Sequence, residues 1–348
     1  MIRIFFRTGL LCLGFFLALT PGLSLANVEA VGTPLVGQAV RQWEAAFTKA
    51  NGIRASYTNS LEDISTTELF VGIYDLAVVE FPSASYRLEQ LGLIQFPLFG
   101  FGVAVVANVP GVHVGDIKLN GKILAEIYMG KITRWDHPEI AKINQGLHLP
   151  SLAITPVAQS DGSITTFNFT RYLSDGSEEW QQRIGLGAGL IWPLGEGEKD
   201  SRAAAQKVLE ISGAIGFQSA MNVASFKLDT TQLQNKLGNF VSISNARVKA
   251  TMDQFIDHPE RNKLAPVNLV GDGSWPIVSI IYGQMKRVPE DIPDALETVQ
   301  FLTWAFKNAK DLEVQEGLQP VQFKAVEPTL NLIETKKTFD GRAAPQRK

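Results

Sequence analysis

Phe101-Gly102-Val103-Ala104-Val105-Val106-Ala107 is an unbroken run without a single polar side chain. A strand that shows neither face to water reads this way, and such strands belong to sheets covered by helices on both sides. The run therefore predicts an α/β protein, and the sequence around it carries the matching alternation. Toward the N-terminus, Val28–Val31, Ile53–Tyr57 and Asp75–Val79 read as strands. Between them, the window from Pro34 to Ala50 sets Val36, Val40, Trp43 and Phe47 on one helical stripe, and Ser60–Phe70 reads as a helix with a hydroxyl at its start. Toward the C-terminus, Lys122–Met129, Ile164–Leu173, Ser201–Ile211 and Asn245–Ile256 read as helices, whereas Ala153–Val157, Ala214–Phe217 and Trp275–Met285 read as strands. A long amphipathic helix over Glu290–Lys307 closes the pattern with Leu296, Val299, Phe301, Leu302, Trp304 and Phe306.

The beginning of the chain has another logic. Arg3 and Arg7 precede an apolar run from Gly9 to Leu19, followed by Pro21-Gly22 and Ser24-Leu25-Ala26. This is the plan of a signal peptide spanning residues 1–26, with small residues at the cleavage site. The run falls short of the about 20 apolar residues that a spanning helix needs. Export predicts a periplasmic protein, secreted by its N-terminal signal and not embedded in a membrane. Cys12 is the only cysteine and lies within the apolar run, so a protein cleaved after Ala26 has no thiol and no disulfide. A lipid-attachment cysteine is the alternative, but Leu11 precedes it where a small residue is expected.

The formal charge is −3, and removing residues 1–26 takes away two arginines and no acid. That acidic balance argues against nucleic acid as a partner. The basic segment 336–348 reads as a solvated tail. About 320 residues after cleavage is too long for one ordinary core and suits two domains. No Pro-rich linker or repeat separates two halves, which predicts a chain that crosses between lobes more than once, as in hinged binding proteins.

Chemistry-bearing motifs are sparse. His113, His137, His148 and His258 are scattered, and no zinc-type spacing, Gly-x-Ser-x-Gly elbow or P-loop occurs, so neither an enzyme nor a cofactor is expected. The informative segment is Gln159-Ser160-Asp161-Gly162-Ser163-Ile164-Thr165-Thr166. It brings a glycine, hydroxyls and successive backbone N–H groups to the start of a helix, a place where anions bind readily. An ordinary N-cap by Ser163 or Asp161, with no ligand, fits the same residues.

Seven ordered blocks carry a wider similarity. They are Gly92-Leu93-Ile94-Gln95-Phe96-Pro97, Ala107-Asn108-Val109-Pro110-Gly111, Ile127-Tyr128-Met129-Gly130-Lys131-Ile132-Thr133-Arg134-Trp135-Asp136, Asp161-Gly162-Ser163 with Phe167, Trp192-Pro193-Leu194-Gly195, Gly213-Ala214-Ile215-Gly216-Phe217 and Trp275-Pro276-Ile277. With these blocks the chain resembles the phosphate-binding proteins of bacterial phosphate ABC transporters, the PstS family. The resemblance implies a two-lobed type II periplasmic-binding-protein fold, each lobe a doubly wound sheet flanked by helices, with the ligand between helix N-termini. The lobes are expected at residues 27–103 with 270–335 and at residues 104–269.

Carried over position by position, the resemblance implies a ligand set of Thr33, Leu35, Glu62, Glu80, Gln159, Asp161, Ser163, Ile164 and Thr165. Several of these depart from the family. Pro34-Leu35 stands where the family has Thr-Phe, with Thr33 one place earlier; Glu62 falls on the ligand serine, although a small gap would bring Ser60 there. Glu80 replaces the aspartate that accepts the proton of hydrogen phosphate, Gln159 replaces an arginine, and Ile164 replaces a glycine. An amide cannot reproduce the charge-assisted fork of a guanidinium on phosphate. The expectation is thus a periplasmic solute-binding protein that captures phosphate, a related oxyanion or another small solute for an ABC permease, with weaker phosphate binding than is usual in the family. The alternatives are a family member that takes an amine or neutral ligand, and a sensory or protein-interaction module.

Overall fold

The first strand, β1 (Val28–Gly32), pairs in parallel with β2 (Ala55–Asn59) on one side and β3 (Leu76–Val79) on the other. Parallel neighbours need a crossover, and α1 (Gly37–Asn51) and α2 (Glu62–Phe70) supply it. In this computed structural model the described residues are 27–194, 197–257, 266–309, 312 and 315–335. The expected signal peptide, His258 and the basic tail lie outside the described residues, as does Gly195 of the Trp192 block. The side chain of Glu62 likewise lies outside them. No helix among the described residues is long and apolar enough to cross a membrane.

After α3 (Ser85–Leu91) the chain enters β4 (Leu93–Ala107), and the apolar run is only the second half of this strand. Pro97 hides the first half from a reading by propensity, because proline cannot donate to a ladder. The structure accommodates it with a register shift: Tyr282 faces Pro97 while Ile281 faces Phe99, leaving Leu98 as the additional residue. The displaced carbonyl of Leu98 accepts from the Val321 amide at 3.0 Å.

The middle of the chain contains β5 (Lys118–Leu119), α4 (Gly121–Tyr128), α5 (Pro138–Ile143), β6 (Thr155–Pro156), α6 (Ile164–Gly176) and α7 (Glu178–Arg183). It continues through α8 (Ser201–Glu210), β7 (Ala214–Ser219), α9 (Ala220–Phe226), β8 (Gln232–Gln234), β9 (Phe240–Val241) and α10 (Asn245–Asp257). The chain then returns through β10 (Val278–Lys286), α11 (Ile292–Asn308), β11 (Leu318–Pro320) and α12 (Phe323–Thr335). Of the expected strand Ala153–Val157, only Thr155 and Pro156 form a ladder, Ala153 makes an isolated bridge to Arg134, and Pro156 has no N–H. The last helix carries Pro328 in its interior, which breaks the sequence signal for it.

Strand order in the main sheet is β2-β1-β3-β10-β4-β7-β6, with β11 also on β4 and β5-β8-β9 forming a small separate sheet. Residues 93–102 of β4 pair with β10, whereas residues 103–107 pair with β7. One strand therefore serves both the side of the sheet built on β2-β1-β3-β10, the first half, and the side built on β7-β6, the second half.

On the first half, α1 is pressed between sheet and helix, with Trp43 4.6 Å from Phe99 of β4 and 5.5 Å from Phe306 of α11. On the second half, Phe169 of α6 stacks on Phe217 of β7 at 4.1 Å. The Asn168 side chain also donates to the Ser279 hydroxyl of β10 at 2.9 Å. Helix α6 is thus fixed both to its own sheet and to the strand that returns to the other half.

Within the first half, Gly32 lies so near β3 that a Cβ would stand 2.1 Å from the Val78 carbonyl oxygen, and this close approach sets the next residue, Thr33, beside the end of β3. Glu44 of α1 is buried with one carboxylate oxygen unpartnered. Burial pushes its pKa from 4.5 up to about 8, against the opposing effect of Arg41. A carboxyl raised in this way favours the folded state while protonated. That contribution is complete below about pH 4.5 and is lost as pH rises through about 8. The melting temperature is expected to fall between pH 5 and pH 9, and Glu44→Gln is expected to reduce that fall by about 2 °C or more. Calorimetric scans of both proteins across this range check it, and parallel curves would show that Glu44 does not titrate with folding.

Candidate functional site

Thr33 follows β1 and Glu80 follows β3, so the parallel pairing of these strands brings both to the same end of the sheet. The Thr33 hydroxyl donates to Glu80 Oε1 at 2.6 Å, and the same hydroxyl oxygen accepts from the Leu35 amide at 3.1 Å. Tyr57 holds this corner from below by donating to the Thr33 carbonyl at 2.7 Å.

The other carboxylate oxygen of Glu80 reaches across to the second half and accepts from the Ile164 amide at 3.2 Å. Ile164 is the first residue of α6, where the opening amides have no partner within the helix. Ser163 caps the helix by accepting from the Thr166 amide at 3.4 Å, and Asp161 Oδ1 accepts from the Ser163 amide at 3.2 Å. Of the first-turn amides, that of Thr165 is the one these side chains leave open. Glu80 therefore lies as an internal anion on a helix N-terminus and joins the two halves.

A cleft of about 630 Å³ opens at this junction. Thr33, Pro34, Leu35, Leu61, Glu80 and Phe81 line it from the first half, and Asp161, Ser163, Thr165, Ser201, Arg202 and Ser219 from the second, with Ser60 and Gly162 completing the wall. Of the expected ligand residues, the structure brings Thr33, Leu35, Glu80, Asp161, Ser163 and Thr165 onto this wall. Ile164 contributes its amide, while its side chain packs in the core. Glu62 opens α2 next to Leu61. That helix lacks the expected hydroxyl cap: Leu61 is its N-cap residue, and the Ser60 hydroxyl faces Glu68 at 3.4 Å.

Gln159 is placed differently from its neighbours. It is fully buried behind the cleft, where its side chain donates to the Phe217 carbonyl at 2.6 Å and its own carbonyl accepts from the Trp192 indole at 2.9 Å. The charge absent from this position appears elsewhere. Arg202, in the first turn of α8, is the one cation among the described residues lining the cleft, and its Cζ rests 5.8 Å from the Phe226 ring centroid. No motif contains Arg202, and only the packing of α8 beside β7 brings it to the cleft. Among the described residues no group of three or more His, Cys, Asp or Glu is placed to hold a metal ion.

The bridge through Glu80 has a measurable weight. Glu80→Ala leaves the Thr33 hydroxyl and the Ile164 amide without an acceptor and is expected to cost about 1–3 kcal/mol in urea unfolding. Glu80→Gln, which still presents an oxygen, is expected to cost less. An alanine variant as stable as the parent would show that the contact between the halves carries no free energy.

Comparison with known proteins places this geometry in context. A family model described as "PBP superfamily domain" matches residues 20–308. The chain is 32% identical over 285 residues to the phosphate-binding protein PstS of Xylella fastidiosa, covering 82% of this chain and 78% of that protein. It is 31% identical over 303 residues to the phosphate-binding protein PstS of Pasteurella multocida, covering 86% and 88%. Among solved structures, a putative phosphate ABC transporter substrate-binding protein from Clostridium perfringens, with bound phosphate, superposes with a TM-score of 0.55 at 16% identity, covering 85% of this chain and 99% of that one. That likeness concerns the fold.

Proposed function

The chain belongs to the PBP superfamily and to the PstS family of phosphate-binding proteins, and on that premise we propose that it captures a small tetrahedral oxyanion in the cleft between its lobes. The reading includes a periplasmic location, delivery of the solute to an ABC permease, and lobes comprising residues 27–103 with 270–335 and residues 104–269. It is a binding role without catalysis, a view that rests on family membership.

The observation that carries the proposal is the convergence of Arg202 and the first turn of α6 on one cleft. The open Thr165 amide, the hydroxyls of Ser163 and Thr165 and the Arg202 guanidinium are donors of the kind an oxyanion requires. Arg202 takes over the electrostatic task that an arginine at position 159 performs in the family pattern. An amine ligand meets the Arg202 guanidinium in the same cleft, and each oxygen of Glu80 already accepts one hydrogen bond.

Titration calorimetry with inorganic phosphate near neutral pH is expected to show binding, and Arg202→Ala to weaken it at least about tenfold, the worth of one charge-assisted hydrogen bond. Absence of both heat and thermal stabilisation with every one of millimolar phosphate, arsenate, sulfate and an organic phosphonate would overturn the reading.

A further inference from the structure

Resting on that reading, we propose that the cleft is shaped for an organic oxyanion, a phosphonate or phosphate monoester whose apolar substituent lies against Pro34, Leu35, Leu61 and Phe81.

The cleft has more room than a bare ion fills. A four-oxygen ion needs roughly the space of two or three waters, on the order of 60–90 Å³. The cleft encloses about 630 Å³, within the range of about 300–1,000 Å³ typical of sites for small organic molecules. Closure of two lobes shrinks such a volume, but it does not change what the walls are made of.

The chemistry of those walls differs between the halves. The second half contributes Ser163, Thr165, Ser201, Arg202 and Ser219, suited to an anionic head group, beside the Asp161 carboxylate, whose Oδ1 is held by the Ser163 amide and the Thr166 hydroxyl. On the first half, Pro34 has no amide hydrogen, the Leu35 amide is taken by the Thr33 hydroxyl, and that hydroxyl is in turn donated to Glu80. Beside Glu80 and Ser60, this wall shows apolar surface. Leu61 is 72% exposed at the start of α2, and Phe81 stands edge-on to Phe167 at 5.8 Å. A bare inorganic ion leaves that surface wet, whereas an alkyl or aryl group on the ion covers it and gains the free energy of apolar burial. The same residues that remove hydrogen-bond donors from this side supply the contact for a substituent.

The test is calorimetry on the purified protein with inorganic phosphate and with methyl-, butyl- and phenylphosphonate. Affinity is expected to rise roughly fourfold for each methylene buried, so that butylphosphonate binds at least about tenfold more tightly than methylphosphonate. Leu61→Ser is expected to lower the butyl-to-methyl ratio, a readout that cancels any general loss of binding or folding. If inorganic phosphate binds as well as or better than the butyl and phenyl compounds, the inference is overturned while oxyanion capture stands. If none of the four binds, oxyanion capture fails, and the inference with it.

Discussion

A strand cannot end inside a sheet core without stranding its backbone polar groups, and β4 solves this by belonging to both halves at once. Residues 93–102 satisfy their ladder with β10 and β11, and residues 103–107 with β7. Because β10 returns antiparallel along the same strand, the two halves are joined through paired backbone and not through a loose tether. Every element that faces the cleft is placed relative to this pair. Thr33 and Glu80 follow strands of the β10 side, while α6 and α8 pack on β7.

Charge in the cleft is arranged economically. Glu80 satisfies one hydroxyl from its own half and one amide from the other, so its charge is stabilised by donors that a helix terminus leaves over. Asp161 is likewise turned toward the Ser163 amide and the Thr166 hydroxyl. Both acids are thereby held by their own chain, and Arg202 is the one cation lining the cleft among the described residues. The polar wall and the apolar wall come from different halves, so a ligand that touches both rewards the halves for being together.

Much of the fold was legible from periodicity. The stripe of Val36, Val40, Trp43 and Phe47 and the apolar run before Ala107 fall where the expected helix and strand stand, because burial of one helix face or of both strand faces leaves a local pattern. What escaped notice was non-local. The first half of β4 is a strand because β10 pairs with it and a bulge absorbs Pro97. The helix after Phe323 forms in spite of Pro328.

The candidate site divides along the same line. The cap at Ser163 is a property of neighbouring residues along the chain and is legible in their order, whereas the acid at position 80 is marked out only by the resemblance to the PstS family. Which of those residues reach the cleft is a matter of distances between segments far apart in sequence. Gln159 turns into the core, where its side-chain amide donates to the Phe217 carbonyl while its side-chain oxygen has no partner, and Arg202 faces the cleft because α8 packs beside β7. Hydrophobic pattern and capping are short-range and survive in one dimension. The meeting of Glu80 with Ile164, 84 positions apart, exists only once the shared strand has brought the two halves together.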